Sequence, residues 1–177
     1  MRFSNSFVDA TAKELFSLLV KADRRKPFAA VLYAVQQAGS VVTGGRKLAS
    51  AINTEYQDRN PNAHAEINVI DMAAEVLFKD LQLPIEKRRK FCLFVSTRPC
   101  PKCTAAIVDA QIFNVYFFYD NNYKKKVAEA IVEAKEAPRT FAFQELNSRW
   151  KNEFCSISRG VFPATRDEYH GRTLLNA

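Results

Sequence analysis

The 177-residue sequence has no apolar run that approaches a membrane span, no internal repeat, no low-complexity tract and no Pro/Gly/Ser-rich linker. Without a linker, a chain long enough to bury one sizeable core reads as a single domain over residues 1–177, with 147–177 a C-terminal extension that matches no recognised pattern. The first twenty residues, MRFSNSFVDATAKELFSLLV, are interrupted by Asp9, Lys13 and Glu14, which excludes the apolar core of a secretory signal. A cytoplasmic protein with no membrane partner is expected. Cysteine is scarce as well, at four residues. In a reducing compartment these are free thiols or metal ligands rather than a disulfide framework. Acidic side chains are outnumbered, 19 against 26 basic, for a net charge of +7. That excess attracts phosphates, but the basic runs at 24–26, 87–90 and 124–126 are short and far apart in sequence, as solvated loop and helix ends are.

What is present alternates between helical and extended periodicity. Phe7, Leu15, Phe16, Leu18 and Leu19 predict a first helix over about residues 6 to 23, ended by Pro27. FAAVLYAV predicts a strand, Gly39 a turn, and VVT or the stretch towards Ile52 a second, antiparallel strand. After the polar loop NTEYQDRNPN, a helix starting near Pro61 or Ala63 carries Ile67, Ile70, Ala74, Leu77 and Phe78 on one stripe. FCLFVS predicts a doubly buried strand. A short helix from Pro101, the strand VYFFY, a helix over roughly 123 to 136 and a last strand TFAF follow. This order predicts an α/β fold, a three-layer α/β/α sandwich on a mixed, roughly five-stranded sheet whose last strands are parallel.

The chemistry concentrates in two short segments. In TRPCPKC, Pro101 fits the first position of a helix, making Cys100 its cap and placing Cys103 one turn in. Helix N-termini favour thiolate, the form that binds metal. His64 and Glu66, in NPNAHAEINVI, also stand at a predicted helix start. Two residues apart, they would point about 200° apart within a helix and can converge only beyond its tip. Two such tips on one edge of a parallel sheet face each other across a crevice, where His64, Cys100 and Cys103 would supply three zinc ligands and leave a fourth position for water.

HAE, followed 36 residues after its histidine by the first cysteine of PCPKC, resembles the H-x-E…P-C-x-x-C pattern of the zinc-dependent cytidine and deoxycytidylate deaminase superfamily. In motif style the chain is similar to guanine deaminase and tRNA adenosine deaminase-like members. NPNAHAEI resembles their D-P-T-A-H-A-E segment, and KPFAAV resembles the P-F-G-A-V strand of guanine deaminase-like members. The likeness runs from about residue 7 to 144. It implies the cytidine deaminase-like fold, Zn2+ as cofactor, and hydrolytic release of ammonia from an aminated base. It further implies Glu66 as the proton carrier, and a base held by the Ala65 backbone N–H and by Asn53, eleven residues before His64. A homo-oligomer, a dimer first, is also implied, and the aromatic tail residues Trp150, Phe154, Phe162 and Tyr169 fit a subunit contact or a cover over the site.

The sequence departs from the pattern at Arg98, where many members carry Glu or Ser before P-C. Arg98 is expected to face solvent, with a substrate phosphate as its alternative partner. Phe28 is a core residue by type, placed where it can line the pocket. The favoured substrate is a free nucleobase or nucleoside, guanine-type first and cytosine-type second. The alternatives are a tRNA or RNA adenosine, and a deoxycytidylate-type nucleotide. Nucleic acid is the less favoured partner because the basic runs lie apart. Taken alone, Cys100-x-x-Cys103 would equally suit a redox pair or half of a closed structural site, for which Cys92, Cys155 and His170 are candidate fourth ligands. A zinc-stabilised binding module on a deaminase fold is the non-enzymatic alternative, against which the intact Glu66 argues.

Overall fold

The computed structural model describes residues 1–38, 41–84, 88–119, 142–146, 150, 152 and 154. Its elements are β1 (Arg2–Phe3), α1 (Asn5–Leu19), β2 (Ala29–Ala38), β3 (Val41–Ile52), α2 (Ala65–Met72), α3 (Ala74–Leu81), β4 (Phe91–Thr97), α4 (Pro101–Asp109), β5 (Asn114–Tyr119) and β6 (Ala142–Glu145). The six strands form one sheet in the order β1-β3-β2-β4-β5-β6. β2 is antiparallel to both neighbours, whereas β4, β5 and β6 run parallel. The mixed sheet and its parallel end are as expected. The sixth strand is the addition: two residues, Arg2 and Phe3, pair with Val41 and Val42, too short a segment to carry any periodicity.

Alternation along each strand sorts the side chains onto two faces. Val31, Tyr33, Cys92, Phe94, Tyr116 and Phe118 lie on the face packed by α1, through Phe7, Ala12, Leu15, Phe16 and Leu19. Ala30, Leu32, Leu93, Val95, Val115 and Phe117 lie on the other, under α2, α3 and α4. This is the expected three-layer arrangement.

Several boundaries differ from the sequence expectation. α1 opens on Ser4, whose side chain accepts from the Phe7 N–H, and ends at Leu19, well before Pro27. The Lys21 and Ala22 N–H groups turn back to Leu18 and Leu19 carbonyls, tightening the chain into a turn that buries Ala22. The single helix expected from near residue 61 starts at Ala65 and is divided at Ala73 (φ −97°, ψ 1°), where α3 begins. β3 is longer than expected and runs through Gly44 and Gly45. A Cβ at Gly45 would sit 2.9 Å from the Ala34 carbonyl oxygen, so glycine permits the close approach of β3 to β2. The expected helix over 123–136 and the Gly39 turn lie outside the described residues, as do Phe162, Tyr169, Cys155 and His170.

Trp150 and Phe154 are not left over from the core. The Phe154 ring stacks on Phe16 (4.1 Å) and on Phe118 (4.6 Å). The Trp150 ring packs against Phe16 and its Nε1 donates to Asp9 Oδ1 at 2.7 Å. These two tail aromatics therefore close the α1 face of their own chain, and the case for a subunit contact loses them.

Candidate metal and base-binding site

The strand registers bring the site to one edge of the sheet. Ala29, at the start of β2, pairs with Ile52 at the end of β3, and Ala30 pairs with Val95 near the end of β4. Phe28, Asn53 and the segment from Arg98 to Cys100 are thereby neighbours, although they are far apart in sequence. The Asn53 N–H donates to the Phe28 carbonyl at 2.9 Å, and the Ala29 N–H to Ser96 Oγ at 3.1 Å. The tips of α2 and α4 overlook this edge. A small open pocket between them is lined by Phe28, His64, Glu66, Arg98 and Cys100, with Ser96 and Thr97 beneath.

His64 is the N-cap of α2, with extended φ/ψ (−76°, 151°), and Glu66 lies in the first turn. The change of backbone conformation at the tip lets both residues reach the same pocket, which a continuous helix would forbid. Cys100 caps α4 with Pro101 following, and its sulfur accepts from the Cys103 N–H at 3.5 Å. His64 Nδ1 stands 3.6 Å from Cys100 Sγ and 3.3 Å from Cys103 Sγ, and the two sulfurs are 3.4 Å apart. Among the described residues this is the group whose donor atoms, all within 4.8 Å of one another, could hold a metal ion.

The donor set fits zinc. One imidazole and two sulfurs are the borderline and soft ligands that zinc takes in tetrahedral sites. Without an ion the Cys103 thiol is held far above its ordinary range, first by its contact with Cys100, then by burial, then by the Glu66 carboxylate. A cation relieves this crowding, because a coordinating thiol is deprotonated outright. Cys92 is no fourth ligand. It is fully buried on the α1 face, and burial pushes its thiol up to about 12.

Asn53 is buried, and its Oδ1 accepts from the Glu55 N–H at 3.1 Å. That bond fixes the amide's orientation and leaves Nδ2 buried with no protein acceptor. Buried polar groups are nearly always satisfied, so this orphaned donor stands out; it is next to the pocket residue Phe28, whose carbonyl the Asn53 N–H bonds, although Asn53 itself does not line the pocket. Ala65, the first residue of α2, carries one of the first-turn amides that a helix does not satisfy internally. Phe28 is half-buried, partly core and partly pocket wall, as its position suggests.

Arg98 departs from expectation. It is only 6% exposed, its guanidinium lies 4.4 Å from the centroid of Phe117, and it lines the pocket. The Arg98 N–H bonds the Tyr119 carbonyl, extending β5 pairing past the end of β4 and turning the side chain inward. Its sequence neighbourhood, polar and at a strand end, carries no sign of the aromatic ring on the adjacent strand.

Two residues escaped the sequence reading. Asn68 Nδ2 donates to the Ile52 carbonyl and to Thr54 Oγ1, both at 2.9 Å, and so pins the 53–63 loop onto α2. Glu55 takes both oxygens to Lys26 Nζ (2.8 and 2.7 Å) and places one 3.6 Å from His64 Nε2. Lys26 holds the Glu55 carboxyl below its ordinary value. Neither residue has a spacing signal: Glu55 sits in a polar loop, and Asn68 is a lone uncharged polar residue within α2.

Residues 12–119 match the family model of the cytidine and deoxycytidylate deaminase zinc-binding region. The chain belongs to this family. A tRNA-specific adenosine deaminase from Agrobacterium fabrum is 38% identical over 77 residues, 44% of this chain. The match spans about half (47%) of that curated relative's length. A structure from a study of A-to-I editing by tRNA:A34 deaminases is 26% identical, with 78% of this chain and 98% of that one covered and a TM-score of 0.50. Guanine deaminase from Nitrosomonas europaea is 16% identical, with 91% and 85% covered and a TM-score of 0.60, a likeness of fold alone. The cytidine deaminase-like fold and a zinc-binding region thus stand as expected, and His64, Cys100 and Cys103 within it lie together as possible ligands. Within the described residues, no helix is long and apolar enough to cross a membrane.

Proposed function

We propose that this member of the deaminase family is a zinc-dependent hydrolase that replaces the amino group of a purine ring with oxygen and releases ammonia, a small guanine-type base being the first substrate. The observation that carries the reading is the convergence of His64, Cys100 and Cys103 with Glu66 at one pocket. His64 Nδ1 and the two sulfurs would hold the ion. When bound, zinc lowers the pKa of water to about 7, which makes a nucleophile available at neutral pH.

Glu66 does the proton work. Its carboxylate accepts a proton from the attacking water and passes it to the ring nitrogen beside the amine-bearing carbon. As the C–N bond breaks, it carries the second proton to the departing ammonia. Base and water become oxo-base and ammonia, with no further reactant. Asn53 Nδ2, the buried donor, and the Ala65 N–H suit the ring's acceptor atoms, and Phe28 offers an apolar wall. The relative named for tRNA adenosine supports a purine ring.

A second reading, an adenosine within RNA, is favoured by the rim. Three basic residues from two segments of the chain, Arg25, Lys26 and Lys102, lie against the 54–62 loop. The Arg25 guanidinium stacks 3.8 Å above the exposed ring of Tyr56, Lys26 reaches Glu55, and Lys102 Nζ bonds the Pro61 carbonyl and Asn62 Oδ1. Cations interleaved with an exposed aromatic suit a nucleotide chain. Ammonia release from guanine, cytosine, cytidine, deoxycytidine monophosphate and a tRNA anticodon stem-loop decides between them. Turnover of guanine insensitive to salt supports the first reading. Dominant turnover of the stem-loop that falls steeply with salt replaces it with the second. Zinc-loaded protein inactive on every amino-bearing base overturns both.

A further inference from the structure

We propose that Glu55 is a positioning residue for the zinc ligand His64, accepting from its Nε2–H, and that Lys26 holds the Glu55 carboxylate in place for this task. The inference rests on the zinc-site reading above and adds to it an outer carboxylate carried by a loop residue. His64 presents Nδ1 to both sulfurs, so Nδ1 must be unprotonated to ligate and the ring proton sits on Nε2. Nε2 faces Glu55 Oε2 at 3.6 Å, a few tenths of an ångström beyond a hydrogen bond. Glu55 lies on the far side of the ring from the sulfurs and is no part of the ligand cluster.

Glu55 is itself held at its side chain and at its backbone. Lys26 Nζ bonds both oxygens, and the Glu55 N–H is fixed to Asn53 Oδ1. Lys26 is placed by a turn in which its own N–H bonds the Asp23 carbonyl. The chain Lys26, Glu55, His64 therefore orients the imidazole, while the Glu55 backbone orients the amide suited to the base. Outer carboxylates of this kind fix the tautomer of a ligating histidine and strengthen its metal bond. The competing explanation is a lone surface ion pair between Lys26 and Glu55, which would contribute little to anything.

Zinc dissociation constants by chelator competition separate the two, measured for wild type, Glu55→Gln and Lys26→Met, with melting of the metal-free proteins as the folding control. Glu55→Gln should weaken zinc binding about 10- to 100-fold with little change in melting, and Lys26→Met should weaken it less. In zinc-loaded wild type, the His64 Nε2 proton should resonate downfield and exchange slowly, and Glu55→Gln should abolish both properties. Wild-type zinc affinity and an unmoved Nε2 proton in Glu55→Gln would overturn the assignment while leaving the zinc site intact. If Glu55→Gln does not fold, Lys26→Met decides by the same two readouts. A wild-type protein that takes up no zinc overturns the site reading and this inference with it.

Discussion

The two faces of the sheet are packed by different means. Among the described residues, the α1 face buries eight aromatic rings, Phe7, Phe16, Tyr33, Phe94, Tyr116, Phe118, Trp150 and Phe154, and two alanines. The opposite face buries, among the same residues, two rings, Phe91 and Phe117, and five alanines, Ala30, Ala34, Ala49, Ala65 and Ala73. The large rings on the α1 face supply apolar area, about 1.5–3 kcal/mol for each large side chain fully buried. Small side chains, Ala65 and Ala73 against Ala30, Ala34 and Ala49, let α2 pack onto β2 and β3, and α4 packs against α2, which sets the two N-terminal tips side by side. One face stabilises the domain, and the other fixes geometry at the site. The division implies that damage to one should leave the other's property largely unchanged.

The sharpest break is Glu66→Gln, which keeps the shape of the site and removes the proton carrier proposed for it. A loss of about 10² to 10⁴ in turnover is expected with zinc content and melting unchanged, measured by ammonia release beside metal analysis. Phe94 touches Phe3, Phe7, Tyr33 and Tyr116 at ring-centroid distances of 5.3 to 5.9 Å. Phe94→Ala should cost about 3–5 kcal/mol of stability. Its turnover per folded molecule, measured well below the melting transition, should stay near wild type. Ala30→Leu tests the other face. Overpacking there should cost about 1–3 kcal/mol, and by pushing α2 outward it should depress kcat/KM more than Phe94→Ala does.

The smallest effect is chemical. The Cys92 thiol is pushed up to about 12, so it stays a thiol across the neutral range and should resist alkylation while the protein is folded. Cys100 is only half-buried at a helix tip and should become alkylatable once zinc is chelated. Peptide mapping by mass spectrometry distinguishes the two positions. Modification of Cys92 in folded protein at a rate matching Cys100 would erase the contrast between the faces at that point.

The site-bearing edge was largely legible in the sequence because its residues act through helix tips, which leave local marks: Pro101 after Cys100, and His64 and Glu66 ahead of an apolar stripe. β2, β4 and β5 were legible as short apolar runs. What escaped depends on contacts across the fold. Arg98 is turned inward by the bond from its N–H to Tyr119 and covered by Phe117, neither of which marks its own segment. Trp150 and Phe154 belong to the core because Phe16 and Phe118 leave room for them. Glu55 gains its place only when β2 and β3 pair and bring Lys26 to it. The break at Ala73 has no Pro or Gly to announce it.

If two helix tips build an open zinc site of one nitrogen and two sulfurs, as proposed, X-ray absorption at the zinc edge of the purified protein reads it directly. The predicted spectrum requires one zinc with two sulfurs and two light atoms, one of them from His64 and the other not from the protein. A third sulfur, a second imidazole or the absence of zinc would contradict it.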